Sequence, residues 1–326
     1  MTAKREPGHS AVMIELTAVI VAVTADEPRV LTIGDGRNPE ALPTGPFEDG
    51  HRTLQVGLRS WVERQTHHPL GYVEQLYTFA DRDRTRDRNE DGAGERLVSI
   101  SYLGLTREEG SIAGHGAEGA PLPVWQNWYR FLPWEDWRCG PPALVGRVIA
   151  PRLRRWARSA GSSGARRERS NRVEIAFGLS GHAFNDELVL QRYELLYEAG
   201  LVLEAERHTR VSGEVPGAPM LHDHRRILAT GIARLRAKIR YRPVVFELMG
   251  ESFTLLALQR AVEALAGQRL HKQNFRRLID QQGLVEDTGR VATQTGGRPA
   301  KLVRFRREVL LERAVAGTKL PLSRPE

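Results

Sequence analysis

Residues 254–307 read TLLALQRAVEALAGQRLHKQNFRRLIDQQGLVEDTGRVATQTGGRPAKLVRFRR, and their pattern decides the fold of this part of the chain. Thr254 is typical of a helix N-cap and Gly267 of a helix stop, which predicts a first helix between them. A second helix is predicted from Leu270 to Gln282, followed by a strand in LVEDTGR, a Gly-rich loop and a basic strand in RPAKLVRFRR. The order helix, short turn, helix, strand, loop, strand is that of a winged helix-turn-helix.

Basic residues are concentrated on the second helix and on the strands that follow it. Between Gly289 and Arg307 there are six basic residues and no acidic one. Gln and Asn side chains can bind adenine, and Arg can bind guanine, through paired hydrogen bonds in the major groove. Lys272 and the arginines of the wing are expected to hold phosphates. We therefore predict double-stranded operator DNA as a partner, bound by Lys272, Gln273, Asn274, Arg276, Arg277, Arg290, Arg298 and Lys301.

The opposite side of the second helix is apolar, and we expect Phe275, Leu278 and Ile279 to be buried. The segment VVFELM before the first helix is predicted to be a strand or the start of a new unit. The alternative to DNA binding is a small helical domain whose basic face is merely solvated. Because composition, element order and the placement of the basic residues agree, we favour DNA binding.

Length, charge and cysteine content set the limits for the whole chain. At about 100–200 residues per domain, 326 residues suggest two or three domains. The net charge of +8 and the pI near 10.0 favour an anionic partner. The single cysteine, Cys139, allows no internal disulfide and no cysteine metal cluster, and a reducing cytoplasm is the expected compartment. The apolar stretch LTAVIVAV is predicted to be a buried strand rather than part of a signal peptide.

The first third of the chain alternates between strand and helix patterns. Strands are predicted at about Leu16–Val23, Arg29–Ile33, Tyr72–Phe79 and Arg96–Leu105. A helix is predicted from about Thr53 to Thr66. Such a mixture is typical of an α/β or α+β domain.

The middle of the chain is rich in tryptophan and arginine. From Arg147 to Arg172 there are nine arginines and one glutamate around a SAGSSGA tract, which we interpret as a flexible basic linker. Packing in the core or in an interface is the preferred interpretation of four clustered tryptophans, Trp125, Trp128, Trp134 and Trp137.

Two helices are predicted before the C-terminal unit. One is capped by Asn185 or Asp186 and ends at Gly200, and the other runs from a cap at Asp223 through Arg240. The expected buried face of the second one consists of Ile227, Leu228, Gly231, Ile232, Leu235 and Ile239.

Several stretches resemble the NrtR family of Nudix-related transcriptional regulators. They are QNFRRLI, GGRPAKLVRF, FTLLALQ and DHRRILATGIARLRAKIRYRPVVFEL toward the C-terminus, and YVEQLYTFADRDR and RLVSISYLGL in the first third. The resemblance implies an α/β fold, in detail an α+β Nudix-like sandwich, with a C-terminal winged helix-turn-helix domain. It also implies a repressor of NAD-metabolism genes that senses ADP-ribose or a related nucleotide. The region at about 121–219 and the loop Thr85–Glu95 depart from the family pattern.

Two domains follow from this resemblance. Residues 1–242 are expected to form a Nudix-like ligand-sensing domain with an expanded region at about 121–219, and residues 243–326 a winged-helix DNA-binding domain. Pro243 marks the predicted boundary. Because one reading helix contacts only a half-site, we expect a homodimer.

The stretch GPFEDGHRTLQVGLRSWVERQTH, residues 45–67, resembles the Nudix signature, in which glutamates on a helix hold the metal ions of a hydrolase. When it is aligned on its first glycine, His51, Ser60 and Arg64 stand where the signature has Glu, and Arg59 and Glu63 are kept. Positions 60, 63 and 64 share one helical face, so three carboxylates there would gather Mg²⁺. With one carboxylate left beside a permanent cation, we expect no catalytic residue, no metal and no cofactor.

Binding a ligand does not require that metal. Arg64 and its basic neighbours could face a diphosphate directly, so Arg59, Glu63 and Arg64 are the predicted ligand-binding residues. Arg59 and Glu63, at i and i+4, could instead pair with each other. The alternative function is an active Nudix hydrolase of a nucleoside diphosphate derivative with an accessory basic C-terminal domain.

Histidines offer weaker candidates for a metal site. In LHDH, residues 221–224, we prefer Asp223 as a helix cap over a metal ligand. His51, His67 and His68 are interpreted as exposed loop histidines rather than as a zinc site.

Overall fold

The computed structural model describes residues 12–36, 38–66, 70–81, 96–108, 122–207, 215–292 and 299–309. The loop Thr85–Glu95, His67 and His68 fall outside these ranges. The strands are β1 (Val12–Thr24), β2 (Glu27–Gly34), β3 (Thr44–Pro46), β4 (Tyr72–Phe79), β5 (Arg96–Leu105), β6 (Leu122–Asn127), β7 (Val285–Ala292) and β8 (Ala300–Phe305). The α-helices are α1 (Leu54–Thr66), α2 (Ala150–Arg158), α3 (Ser163–Phe177), α4 (Val189–Glu198), α5 (His224–Tyr241), α6 (Leu255–Ala266) and α7 (Lys272–Gln281).

Short helical segments of other kinds connect these elements. The 3-10 helices are Trp128–Arg130, Pro133–Glu135, Leu203–Arg207 and Val244–Leu248. A π-helical segment, Val145–Ile149, leads directly into α2. Across the described ranges, the helices are too short or too polar to span a bilayer.

A six-stranded sheet forms the N-terminal part of the molecule. Its order is β4-β5-β1-β2-β6, and β3 pairs with β1. β1 and β5 are parallel, whereas the other pairs are antiparallel. The predicted strands are confirmed, since β4 and β5 have the predicted bounds and β1 and β2 extend further at both ends.

The two faces of β1 belong to different layers of the core. Ile20 belongs to the cluster that contains Leu58 and Val62 of α1. Its neighbour Val19 faces the opposite layer, where α5 lies, because successive side chains of a strand point to opposite sides. A Cβ on Gly231 of α5 would lie 2.9 Å from Val19, so the glycine allows the helix to approach the sheet closely. The sheet is therefore sandwiched between helices.

The C-terminal part has the predicted order of helices and strands. Thr254 caps α6 by accepting a hydrogen bond from the Ala257 N–H at 3.1 Å, and Gly267 ends the helix with a left-handed φ of 69°. α7 packs on α6, and β7 and β8 form the two-stranded wing. The predicted caps of the first helix are therefore confirmed.

Two details of this part differ from expectation. Leu278 is 50% exposed rather than buried, because the buried stripe of α7 consists of Phe275 and Ile279 at i and i+4, and Leu278 lies beside it. The segment Val244–Leu248 is a 3-10 helix rather than a strand. Four of its five side chains are buried, which gives a short apolar run the composition of a strand.

The prediction of a flexible basic linker at residues 147–172 is wrong. Residues 147–172 lie almost wholly in helical segments, and α2 packs against α3. Arg154 pairs with Glu174 at 3.0 Å, and the guanidinium of Arg169 lies 4.3 Å from the centre of the Trp156 ring. The arginines cover the outside of a helix pair whose inner face carries the buried side chains of Leu153, Ala157, Val173 and Phe177.

The other predictions for the middle of the chain need smaller changes. Trp128 and Trp134 are fully buried, which confirms their place in the core. α4 begins at Val189, three residues after the predicted cap, because residues 186–188 form a turn. Asp223 stands at the N-cap position of α5 but makes no side-chain cap, since its carboxylate pairs with Arg226 at 3.2 Å.

Candidate nucleic-acid interface and effector site

The exposed face of α7 carries side chains predicted to touch DNA. Phe275 and Ile279 anchor the helix in the core, which turns its polar side outward. All five predicted residues of this helix are exposed: Lys272, Gln273, Asn274, Arg276 and Arg277. Within the part of the chain that the structure describes, none of them makes a side-chain hydrogen bond or an ion pair. Their polar groups are therefore available to a ligand that approaches this face.

The cations of the wing are of two kinds. Arg290 is exposed and has no ion-pair partner among the described residues. Lys301 lies 3.0 Å from Asp287, Nζ to Oδ2. The hydrogen bond from the Gly289 N–H, together with that from Lys301, lowers the pKa of Asp287. Arg298 falls within 293–298, outside the described ranges.

Arg59 of α1 does not pair with Glu63. Its guanidinium donates to the backbone oxygen of Leu70 and, at 2.9 Å, to that of Gly71. These carbonyls lie immediately before β4, so Arg59 joins α1 to the start of the outer strand. The alternative in which Arg59 pairs with Glu63 is therefore wrong, since the planar fork of the guanidinium binds these two carbonyls instead. Glu63 is exposed and has no ion-pair partner within the described residues.

Arg64 is held on the surface of its own helix. Its Nη2 donates to Ser60 Oγ at 3.1 Å, and its guanidinium lies 4.3 Å from the centre of the Trp61 ring. Ser60 and Arg64 thus bind each other on the surface of α1. Glu63 is the one carboxylate on this face of α1.

His51 is not an exposed loop histidine. Its side chain is 9% exposed, and Nδ1 accepts a hydrogen bond from the Glu48 N–H at 3.1 Å. A Cβ on Gly57 would lie 2.8 Å from His51 Nδ1, so the imidazole packs directly on the first turn of α1. His51 therefore has a structural role in the loop before the helix.

His224 and Asp223 of the LHDH stretch, residues 221–224, contact residues outside that stretch. His224 is buried, and its Nδ1 accepts a hydrogen bond from the Leu42 N–H at 2.9 Å. Burial, with a smaller contribution from His222, lowers the pKa of His224 to about 3, so the imidazole is neutral at physiological pH. In the described ranges, His, Cys, Asp and Glu side chains nowhere gather in groups of three or more that could hold a metal ion.

A buried cluster of charges joins the parts of the molecule. Glu135 accepts hydrogen bonds from Arg192 of α4 at 2.5 Å and 2.7 Å, and from Arg236 of α5 at 2.7 Å. All three side chains are fully buried. Burial alone would raise the pKa of Glu135, but the two guanidiniums outweigh it and hold the pKa below its usual range. Sequence patterns do not reveal this cluster, because its members lie far apart in the chain.

The same cluster holds the C-terminal end of α6. Arg236 Nε donates to the Leu265 oxygen at 3.0 Å, and the Tyr129 hydroxyl donates to the Ala264 oxygen at 2.7 Å. The Trp137 N–H donates to the Gly267 oxygen at 2.7 Å. The last carbonyls of a helix lack partners within the helix and carry partial negative charge, which suits a cation such as Arg236. The first helix of the winged-helix part is thus fixed to α5 and to the segment before α2.

The sequence model of the family described as the NrtR DNA-binding winged helix domain matches residues 245–305. The chain carries an NrtR winged-helix domain. The match includes α6, α7 and both strands of the wing. The exposed face of α7 therefore belongs to the matched domain, as do Arg290 and Lys301 of the two-stranded sheet.

A curated relative has a related sequence over part of its length. The ADPR responsive transcriptional repressor NtrR of Acinetobacter baylyi is 41% identical over 83 residues, which are 26% of this chain. The match spans 33% of the length of that relative.

Two solved structures of Shewanella oneidensis NrtR resemble nearly the whole chain. One, complexed with a 27mer DNA, is 19% identical with a TM-score of 0.53, and the alignment covers 91% of this chain and 94% of that one. The other is 18% identical with a TM-score of 0.51, over 90% and 94% of the two chains. The chain has the predicted fold, a Nudix-like α/β sandwich followed by an NrtR winged helix.

Proposed function

We propose that this chain is a DNA-binding transcriptional repressor whose α7 enters the major groove of an operator. The observation that carries the proposal is the exposed face of α7, where five polar or basic side chains have no partner among the described residues. This face belongs to a domain that matches the NrtR winged helix. A repressor of this kind acts on chromosomal DNA, so its compartment is the cytoplasm.

The polar side chains of α7 divide into two groups by chemistry. Gln273, Asn274 and Arg277 can form paired hydrogen bonds with base edges and therefore determine sequence preference. Lys272 and Arg276, with Arg290, Arg298 and Lys301 of the wing, bind phosphates and position the helix. Because each domain reads one half-site, the active form is a homodimer on an operator with two half-sites.

The Nudix-like domain is proposed to sense a nucleotide related to ADP-ribose. The support is the fold, together with the partial match to a repressor that is described as ADPR responsive. Genes of NAD metabolism are the proposed targets. Arg59, Glu63 and Arg64 mark the expected side of α1, although Arg59 and Arg64 already have partners within the protein.

The proposed domain does not hydrolyse its ligand. A Nudix hydrolase uses several carboxylates on this helix to hold Mg²⁺, and here Glu63 stands between Ser60 and Arg64. A single carboxylate beside a permanent cation binds a divalent ion poorly. The domain therefore needs no catalytic residue, metal or cofactor.

A route from the ligand to DNA is offered by α5. The helix packs on the sheet and on α6, and its Arg236 contacts the end of α6. A ligand that moves α5 would change the placement of the winged helix and hence the separation of two reading helices in a dimer.

The test is a footprint on the DNA upstream of the gene for this protein, with and without ADP-ribose. We expect a protected site with two half-sites about one helical turn apart, and a change in protection when ADP-ribose is added. If no site is protected at low salt, the proposed repressor function is wrong. If the footprint is unchanged at saturating ADP-ribose, the proposed DNA-binding function stands, but ADP-ribose is not the effector.

A further inference from the structure

Three cations lie along one face of α5, next to the outer strand of the sheet. Arg234, Lys238 and Arg242 are spaced i, i+4 and i+8, so they share one face of the helix and its end. Together with Tyr72 and Glu74 of β4, they line a groove with a volume of about 580 Å³.

The three cations differ in what they bind within the protein. Lys238 contacts the carboxylate of Glu74 and donates to the Tyr72 hydroxyl at 2.7 Å. Arg234 and Arg242 are exposed, and neither makes a side-chain hydrogen bond or an ion pair among the described residues. Glu74 is the one carboxylate among the residues that line the groove. The groove therefore has an excess of positive charge, and two of its guanidiniums have no hydrogen-bond acceptor within the described ranges.

The groove continues onto the predicted ligand side of α1. Gln55 of α1 lines it, together with Val73 and Gln75 of β4. Gln55, Arg59 and Glu63 are spaced i, i+4 and i+8 along α1, and Arg59 binds the Gly71 oxygen at the start of β4. Edge strand β4 thus separates a polar stripe on α1 from a cationic stripe on α5.

We propose that the groove between α5 and β4 binds the diphosphate of a nucleotide effector through Arg234 and Arg242, an inference that rests on the proposed sensor function. Guanidiniums form paired, charge-assisted hydrogen bonds with phosphate oxygens, and these two are available for that purpose. The side-chain amides of Gln55 and Gln75 can bind the sugar hydroxyls of such a ligand.

The position of Arg242 connects the groove to the DNA-binding domain. α5 ends at Tyr241, and Arg242 precedes Pro243 and the 3-10 helix Val244–Leu248. A diphosphate bound by Arg242 draws this connecting segment toward β4. Binding in the groove therefore acts on the joint between the sensor and the winged helix.

The test is isothermal titration of the full-length chain with ADP-ribose and, separately, with inorganic pyrophosphate. The double variant Arg234→Gln, Arg242→Gln is expected to weaken binding of both probes at least about tenfold, because it removes two charge-assisted hydrogen-bonding groups. The matched control is Arg147→Gln, Arg158→Gln. It removes the same charge from two other exposed arginines without ion-pair partners in the described part of the chain.

The control variant is expected to change both affinities less than about twofold. All variants should keep the thermal midpoint of the wild type, since the replaced arginines are exposed. If the Arg234→Gln, Arg242→Gln variant binds ADP-ribose as tightly as the wild type, or if the control loses as much affinity, the groove is not the diphosphate site. The proposed sensor function would still stand. If the wild type binds neither probe, the proposed diphosphate site and the proposed effector are both wrong. The footprint then tests DNA binding on its own.

Discussion

Arg236 and Glu135 lie 101 positions apart in sequence and form an ion pair, Nη1 to Oε2 at 2.7 Å, in which both side chains are fully buried. A second guanidinium, that of Arg192, binds the same carboxylate. Because Arg236 also holds the end of α6, the pair connects the Nudix-like part of the chain to the winged helix.

Glu135→Gln is expected to lower the free energy of unfolding by about 3–5 kcal/mol, because it removes the buried carboxylate that two buried guanidiniums share. Urea denaturation followed by circular dichroism measures this change. The control is Glu198→Gln at the half-exposed pair with Arg172, where the expected loss is below about 1 kcal/mol. Equal losses in the two variants would contradict a structural role for the buried cluster.

Asn274→Ala and Arg277→Ala are each expected to lower affinity for the footprinted operator by about 1–3 kcal/mol if these side chains contact bases. Fluorescence anisotropy with the operator and with a scrambled duplex of equal length measures the change. The loss should be larger for the operator than for the scrambled duplex. Arg52→Ala, which removes a charge far from α7 in sequence, serves as the control. A loss that is the same for both duplexes would mean that these side chains do not read sequence.

Arg290→Ala and Arg298→Ala are expected to weaken binding to all duplexes alike, because we propose that these arginines contact phosphates rather than bases. The slope of log K against log salt should fall in magnitude by about 0.9 for each phosphate that is no longer neutralised. Lys301→Ala should have a smaller effect, since Asp287 already neutralises part of its charge. Wild-type salt dependence in both arginine variants would exclude the wing from the DNA interface.

No Mg²⁺-dependent hydrolysis of ADP-ribose or NADH is expected, because Glu63 lacks the neighbouring carboxylates that a Nudix metal site requires. Release of AMP, followed by chromatography with excess Mg²⁺, tests this directly. Activity that disappears in Glu63→Gln would establish the hydrolase instead.

The stability of the chain should fall as the pH drops from 7 to 5 in a way that depends on His224. Its folded pKa of about 3 lies below the unfolded value near 6.5, so the unfolded state takes up the proton first. The contribution of neutral His224 to the free energy of unfolding is present above about pH 6.5 and is lost as the pH falls toward 3. At pH 5 the loss is about 2 kcal/mol.

His224→Asn is the variant that isolates this effect, because its side-chain oxygen can still accept the hydrogen bond from the Leu42 N–H. Urea denaturation at pH 7 and pH 5 should show a smaller decrease in the variant than in the wild type. Equal decreases would mean that His224 is not buried in its neutral form.

Local patterns predicted the elements well where neighbours in sequence are also neighbours in space. Thr254, Gly267 and the 3.6-residue period define α6 and α7 without reference to the rest of the chain. Such patterns were misleading for residues 147–172, since a high arginine content conceals the short apolar stripe that contains Leu153 and Ala157. They were also misleading for Leu278, because the width of a buried face depends on what covers it.

The sequence by itself determined the winged-helix order, the bounds of β4 and β5, and the polar residues that α7 exposes. Only the tertiary structure decided which charged groups already have partners. It placed Arg59 on two carbonyls, Arg64 on Trp61, and Lys301 beside an acid on the opposite strand. Arg234 and Arg242, in contrast, have no side-chain hydrogen bond to any residue that the structure describes. The physical reason is that a charge finds its partner across the fold, over separations such as 57 and 101 residues around Glu135, where no sequence period applies.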